Sequence, residues 1–225
     1  MGWLANLRIA RKLNLGFGVV ALLTAGVGTI GITQIVKVQK ADAALVDDMA
    51  IPTTWIGNIA TVFTATRVAI RDAIVQKDPA RRASALQKLG VARTRLDSLV
   101  GVYGKSLYNS EDTANYTALK ADLEAIGHFQ DAQAASVRAG RFDEAVRSMN
   151  DPANPSGRAD SLIAKMVSEN VQWMSEEAAR NQATAHAALY EMLFVILIAL
   201  LTAAMLGVLI ARSVAGPMSR MTHTA

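Results

Sequence analysis

The sequence predicts an all-α protein: an antiparallel up-down-up-down four-helix bundle with two transmembrane helices. Three observations predict it. Residues 13–36 and 192–211 are apolar runs without a single charge. About 20 apolar residues rising 1.5 Å each match the roughly 30 Å hydrocarbon core of a bilayer. Between the runs, apolar residues recur at threes and fours and never alternate in twos, so helices are expected and strands are not. Turn signals then divide that middle region into four helical stretches that can pack against one another.

The first stretch leaves the first span and runs to about Gln76, with a kink expected at Ile51-Pro52 because proline removes a backbone donor. Ile56, Ile59, Phe63, Ile70 and Ile74 form its inward face. At Lys77-Asp78-Pro79, Asp78 suits the N-cap of the next helix and Pro79 its first position. The second stretch should reach about Leu107, with Leu86, Leu89, Leu96, Leu99 and Tyr103 inward. Asn109-Ser110-Glu111-Asp112 then reads as a turn with Ser110 the cap and two acids facing the helix dipole. The third presents Tyr116, Leu119, Leu123, Ile126, Gln133 and Val137 inward, breaks at Gly140, and adds a few turns over 142–149. Asn150 to Gly157, with two prolines and a glycine, is the strongest turn signal. The fourth carries Leu162, Met166 and Trp173 and runs without a breaker into the second span. Within the spans, Ala199, Ala203 and Gly207, and Gly16, Gly18, Gly26, Gly28 and Gly31, are small enough for close helix approach.

The predicted organisation is a cytoplasmic N-terminus over 1–12, spans over 13–36 and 192–211, a bundle over 37–191 and a linker start over 212–225. Arg8, Arg11 and Lys12 precede the first span, and Arg212 and Arg220 follow the second, so both ends are expected in the cytoplasm. Trp3 and Tyr190 suit the two interfaces. The first run exceeds the 7–15 residues (roughly) of a signal-peptide core and is expected to stay uncleaved.

Composition excludes several functions. The chain has 225 residues, a net charge of +4 and no cysteine, so a disulfide framework and a thiolate site are ruled out. Its basic residues are interspersed with acids and form no block with interleaved aromatics, so no nucleic-acid partner is expected. His128, His186 and His223 lack ligand spacing, so no metal is expected. No acid, base and nucleophile converge, so no enzyme and no cofactor are expected. Asn115-Tyr116-Thr117 matches a glycosylation sequon, a common chance match.

One pair of side chains stands out. Arg67 and Arg71 sit four apart on the first bundle helix, beside the apolar stripe, with no acid three or four residues away. An acid on another helix or an anion must complement them, and guanidinium forks suit a carboxylate. Thr64 and Asn58 are the polar neighbours that could complete a ligand site.

Several local phrases carry a resemblance. These are Lys12-Leu13-Asn14-Leu15-Gly16-Phe17-Gly18, Ile51-Pro52, Lys77-Asp78-Pro79, Gly140-Arg141-Phe142-Asp143-Glu144-Ala145, and the stretch from Arg212 through Gly216-Pro217 to Met221. In this order they resemble bacterial methyl-accepting chemotaxis receptors with a four-helix-bundle sensor, the last phrase being similar to the opening of a HAMP linker. The resemblance implies a homodimer in the bacterial inner membrane, with a periplasmic sensor binding a small ligand such as an organic anion or amino acid near the first helices. Arg67 and Arg71 are the counterparts it implies for the ligand-gripping arginines. The chain ends at Ala225, before a full linker and signalling hairpin, so contact with cytoplasmic signalling partners is expected only through regions absent from it, as for a fragment or a truncated product. The same sensor on a histidine kinase or cyclic-nucleotide enzyme, and a ligand-free membrane-tethered dimerisation scaffold, are the alternatives.

Overall fold

The computed structural model describes residues 9–222, with side chains for 10–212. Trp3, Arg8 and His223, and the side chains beyond Arg212, Arg220 among them, lie outside the described residues. Helix α1 spans Ile9–Leu45, α2 Ile51–Val75, α3 Pro79–Tyr103, α4 Ser110–Arg138, α5 Phe142–Met149 and α6 Ser156–Thr222. No strand occurs among the described residues. The chain divides into two compact units, Met1–Asp42 with Ala179–Ala225, and Ala43–Ala178.

The second unit is the antiparallel four-helix bundle. In one half, α2, α3, α4 and α6 each supply a wall, with Ile59 and Phe63, Leu96 and Val100, Leu119 and Ile126, and Ile163 and Met166 buried together. The other half is built of smaller residues, including Ala69, Ala73, Ala85, Ala134 and Ala145, and there α5 takes the fourth wall. The stripes expected from spacing hold: Ile56, Ile59, Phe63, Ile70 and Ile74 are all buried. Trp173 is half-buried, with its ring 5.9 Å from that of Tyr108.

Each junction has a local cause. Pro52 has no N–H, and its ring crowds the carbonyl four residues back. The chain answers with a π-helical turn, Val46–Ala50, in which the Ile51 N–H reaches back five residues to Val46. The expected kink is therefore a widened turn. Asp78 caps α3 as expected, its side chain accepting from the Ala80 N–H at 2.8 Å. Helix α3 stops at Tyr103, four residues earlier than expected. Another correction falls at α4, where the N-cap is Asn109 and not Ser110. The Asn109 side chain accepts from the Asp112 N–H at 2.8 Å, and Ser110 is the first helical residue. Asn109 wins because its extended backbone aims the side-chain oxygen at that donor.

Gly140 ends α4 with φ +74°. The Arg141 N–H bonds to Ser136 O at 2.9 Å and the Gly140 N–H to Val137 O at 3.2 Å. These are the paired reverse bonds of a Schellman cap, which needs a left-handed residue and so favours glycine.

The first unit pairs residues 9–42 with 179–222. Gln34 Nε2 donates to Glu191 at 2.5 Å, and Asn181 Nδ2 donates to the Ala41 carbonyl at 2.8 Å. Of the span glycines, only Gly16 and Gly31 face side chains of the opposite helix, Ile210 and Met192; Gly18, Gly26, Gly28 and Gly207 face open space. Helical rotation spreads closely spaced glycines around the axis, so few of them can share one contact face. Both long helices contain stretches long and apolar enough to cross a membrane, with mean hydropathy 2.0 and 3.0, and none of the α6 stretch is buried within the protein. Leu193, Phe194, Leu197, Leu200 and Leu201 are exposed there, a composition that suits lipid as solvent.

Candidate functional site

Thr64, Arg67 and Arg71 line one groove on the side of the bundle, as their spacing on α2 requires. The groove holds about 330 Å3 and is completed by Gln130 and Gln133 of α4 and by Ser156 at the start of α6. Asn58 is not brought into it. It lines a separate groove between α2 and α3 with Ser84, Lys88 and Arg95. Six residues separate Asn58 from Thr64, which rotates its side chain about a third of a turn away.

Arg67 forms an ion pair with Asp160 of α6, and its guanidinium carbon stands 5.8 Å from the centroid of the Phe63 ring. Arg71 pairs with its neighbour Asp72 at 3.1 Å. All four side chains are about half exposed. Pairs of that kind contribute about 0–1 kcal/mol each, so neither guanidinium is firmly held. The Thr64 hydroxyl donates to Ala60 O at 2.9 Å and keeps its acceptor capacity.

Gln133 is the residue that spacing alone misses. It is only 2 % exposed, and its side chain makes no hydrogen bond among the described residues. No fully buried side-chain nitrogen or oxygen there lacks a partner, so the Gln133 amide must be reached from the groove it lines. Gln130 beside it donates to Thr66 Oγ1 at 3.2 Å. The signal available in the sequence was a glutamine on an otherwise apolar stripe. The groove thus presents two loosely paired guanidinium groups, a hydroxyl and an amide with no partner among the described residues, a set suited to a small anion with further polar groups.

Three other polar clusters of the bundle are closed. Tyr103 Oη donates to Asp112 Oδ1 at 2.5 Å, Asn170 Nδ2 donates to Tyr103 Oη at 3.0 Å, and the Tyr108 N–H donates to Asp112 Oδ2 at 3.0 Å. Burial first, then the bond to Asp112, pushes the Tyr103 hydroxyl well above its ordinary 10.0. Buried Asp122 accepts both Arg158 Nε contacts at 2.9 Å, and that bond raises the Arg158 guanidinium further. Asn115 is buried and donates to Glu169 at 2.7 Å, so the sequon asparagine is engaged inside the bundle. Among the described residues no three His, Cys, Asp or Glu side chains group as metal ligands.

The chain is thus a helical bundle with a cationic side groove, bracketed in sequence by two helices long and apolar enough to cross a membrane. Residues 6–185 match the family described as a four helix bundle sensory module for signal transduction, and the chain belongs to that family. No curated protein matches it.

Proposed function

We propose that the protein is the sensor part of a bacterial chemoreceptor, a two-pass protein of the inner membrane with its bundle in the periplasm and both termini in the cytoplasm. The groove at Arg67 and Arg71 takes a small carboxylate-bearing ligand, and Thr64 accepts a hydrogen bond from it. Asn58 is left out of this proposal because it lines a different groove. One observation carries the reading: Gln133, a buried residue whose amide makes no hydrogen bond among the described residues, lines a groove whose two arginines are tied only to half-exposed carboxylates.

A ligand carboxylate competes with Asp160 for Arg67. Because Asp160 sits on α6, ligand binding changes how α6 is held against α2. Helix α6 runs unbroken from Ser156 to Thr222, so no loop intervenes to absorb a small displacement. The ligand shifts the balance between packings only by its differential affinity for them. Homodimerisation and a linker beginning near Arg212 complete the proposed receptor.

The test is a calorimetric and thermal-shift panel of organic anions and amino acids on the full chain in detergent micelles. At least one anion should bind saturably, and Arg67→Ala and Arg71→Ala should each weaken it by about tenfold, the value of one charge-assisted hydrogen bond. Unchanged affinity in both variants removes the arginine site. A panel with no stabilising member favours a ligand-free dimerisation scaffold.

A further inference from the structure

We propose that the wide groove between α3 and α4 binds a small organic monoamine, a ligand of opposite charge to the one proposed for Arg67 and Arg71. This groove holds about 700 Å3, within the usual range for small-molecule sites. Its floor is the bundle's own core, Phe63, Leu96, Val100 and Ile126. Missing side chains keep it open. Gly101 of α3 lines it, and a Cβ placed there would meet nothing within 4 Å. On the facing wall, Arg93 Nη2 lies 2.9 Å from where a Cβ on Gly127 would sit, and Arg93 continues past that point to pair with Asp131. That pair bridges the two helices at one end of the groove.

The charges select the ligand. Asp97 of α3 and Glu124 of α4 both line the groove, and neither has an ion-pair partner among the described residues. The contacts Arg93 to Asp131 and Gly104 to Tyr116 set an antiparallel register between the helices. In that register Asp97 and Glu124 fall at nearly the same level on opposite walls. An ammonium group between them gains charge-assisted hydrogen bonds from both. Exposed ion pairs alone hold little, so the ligand also needs a hydrocarbon body to cover Leu96, Val100 and Leu123. Lys120 lines the same groove one turn from Glu124, away from the Arg93 end. It repels a second ammonium there and tolerates a carboxylate, which sets monoamines above diamines.

The full chain in detergent micelles is titrated calorimetrically with phenethylamine, phenylethanol, phenylacetate and cadaverine. Phenethylamine should bind saturably, and the other three about tenfold more weakly or not at all. Asp97→Asn combined with Glu124→Gln should reduce the amine affinity by about tenfold or more and leave the ligand-free melting temperature unchanged, since both side chains are exposed. Gly101→Leu places a side chain in the open space and should abolish amine binding while the bundle still melts cooperatively. Arg67→Ala should leave amine binding intact, which separates this site from the anion groove. No saturable amine binding, an alcohol that binds as tightly as the amine, or an amine affinity indifferent to both sets of variants would overturn the proposal.

Discussion

Asp160 of α6 supplies the carboxylate that pairs with Arg67 of α2, so the first and last helices of the bundle are joined by an ion pair at the edge of the cationic groove. The pair is half exposed and lies where a ligand carboxylate would compete. Asp160 is therefore an internal stand-in for the proposed ligand. Asp160→Asn keeps the side chain's shape and removes its charge. It should tighten the binding of a responding anion by a fewfold, with little change in bundle stability, because exposed pairs contribute about 0–1 kcal/mol. Calorimetry on the variant decides this; weaker binding would mean Asp160 helps to hold the ligand.

Tyr103, Asp112 and Asn170 form a buried network at the α3–α4 turn. Tyr103→Phe removes its central hydroxyl and leaves the buried Asp112 Oδ1 without its donor, while Asn170 Nδ2 keeps its bond to the Met166 carbonyl; the cost should be about 1–3 kcal/mol. The network also has an alkaline signature. The folded state holds the Tyr103 proton more tightly than the unfolded chain, whose value is near 10.0. That contribution is fully present below pH 10 and is lost as pH rises above it. Urea melts across the alkaline range should fall steeply for the parent chain and less steeply for Tyr103→Phe.

At the other end of the bundle, Glu144 ties α5 to the end of α4. It accepts from Arg141 Nε at 2.7 Å and from Ser136 Oγ at 3.1 Å. The Arg141 bond, then the Ser136 bond, holds its carboxyl below the ordinary 4.5. The sign is therefore that of a depressed acid: its stabilisation is present above pH 4.5 and is lost as pH falls through the lower folded value. Glu144→Gln should melt earlier than the parent at neutral pH, and the gap should close in acid. A gap that widened in acid would contradict the assignment.

Gly140 occupies the left-handed position of the α4 cap. Gly140→Ala forces a Cβ into that conformation and should destabilise the bundle by about 1–2 kcal/mol. A Cβ there meets no other atom within 4 Å, so the whole effect is conformational, and Gly140→Asn should recover part of it. Chemical denaturation of the three proteins measures the order directly.

The four helical stretches, the Asp78 cap, the break at Gly140 and the two apolar spans were legible because each depends on near neighbours in the chain. Three positions show where that reach ends. Ser110 and Asn109 are both competent caps, and only the backbone angle at Asn109 selects between them. Asn58 shares a helix with Arg67 but faces another groove. Gln133 sits on an apolar stripe, and its unpaired amide becomes meaningful only once α2 and α6 are set around it.

The sequence by itself determined the class of fold, the order of the helices and the stretches able to cross a membrane. Residue spacing, caps and hydrophobic length act within single segments, and each can be read off a few turns of chain. Tertiary structure alone decided that Arg67 meets Asp160, that α5 replaces α6 in the alanine-rich half of the core, and that two separate grooves flank α4. Those outcomes depend on the rotation and stagger of one helix against the next. Both are set jointly by every side chain in the interface, and no single helix encodes them.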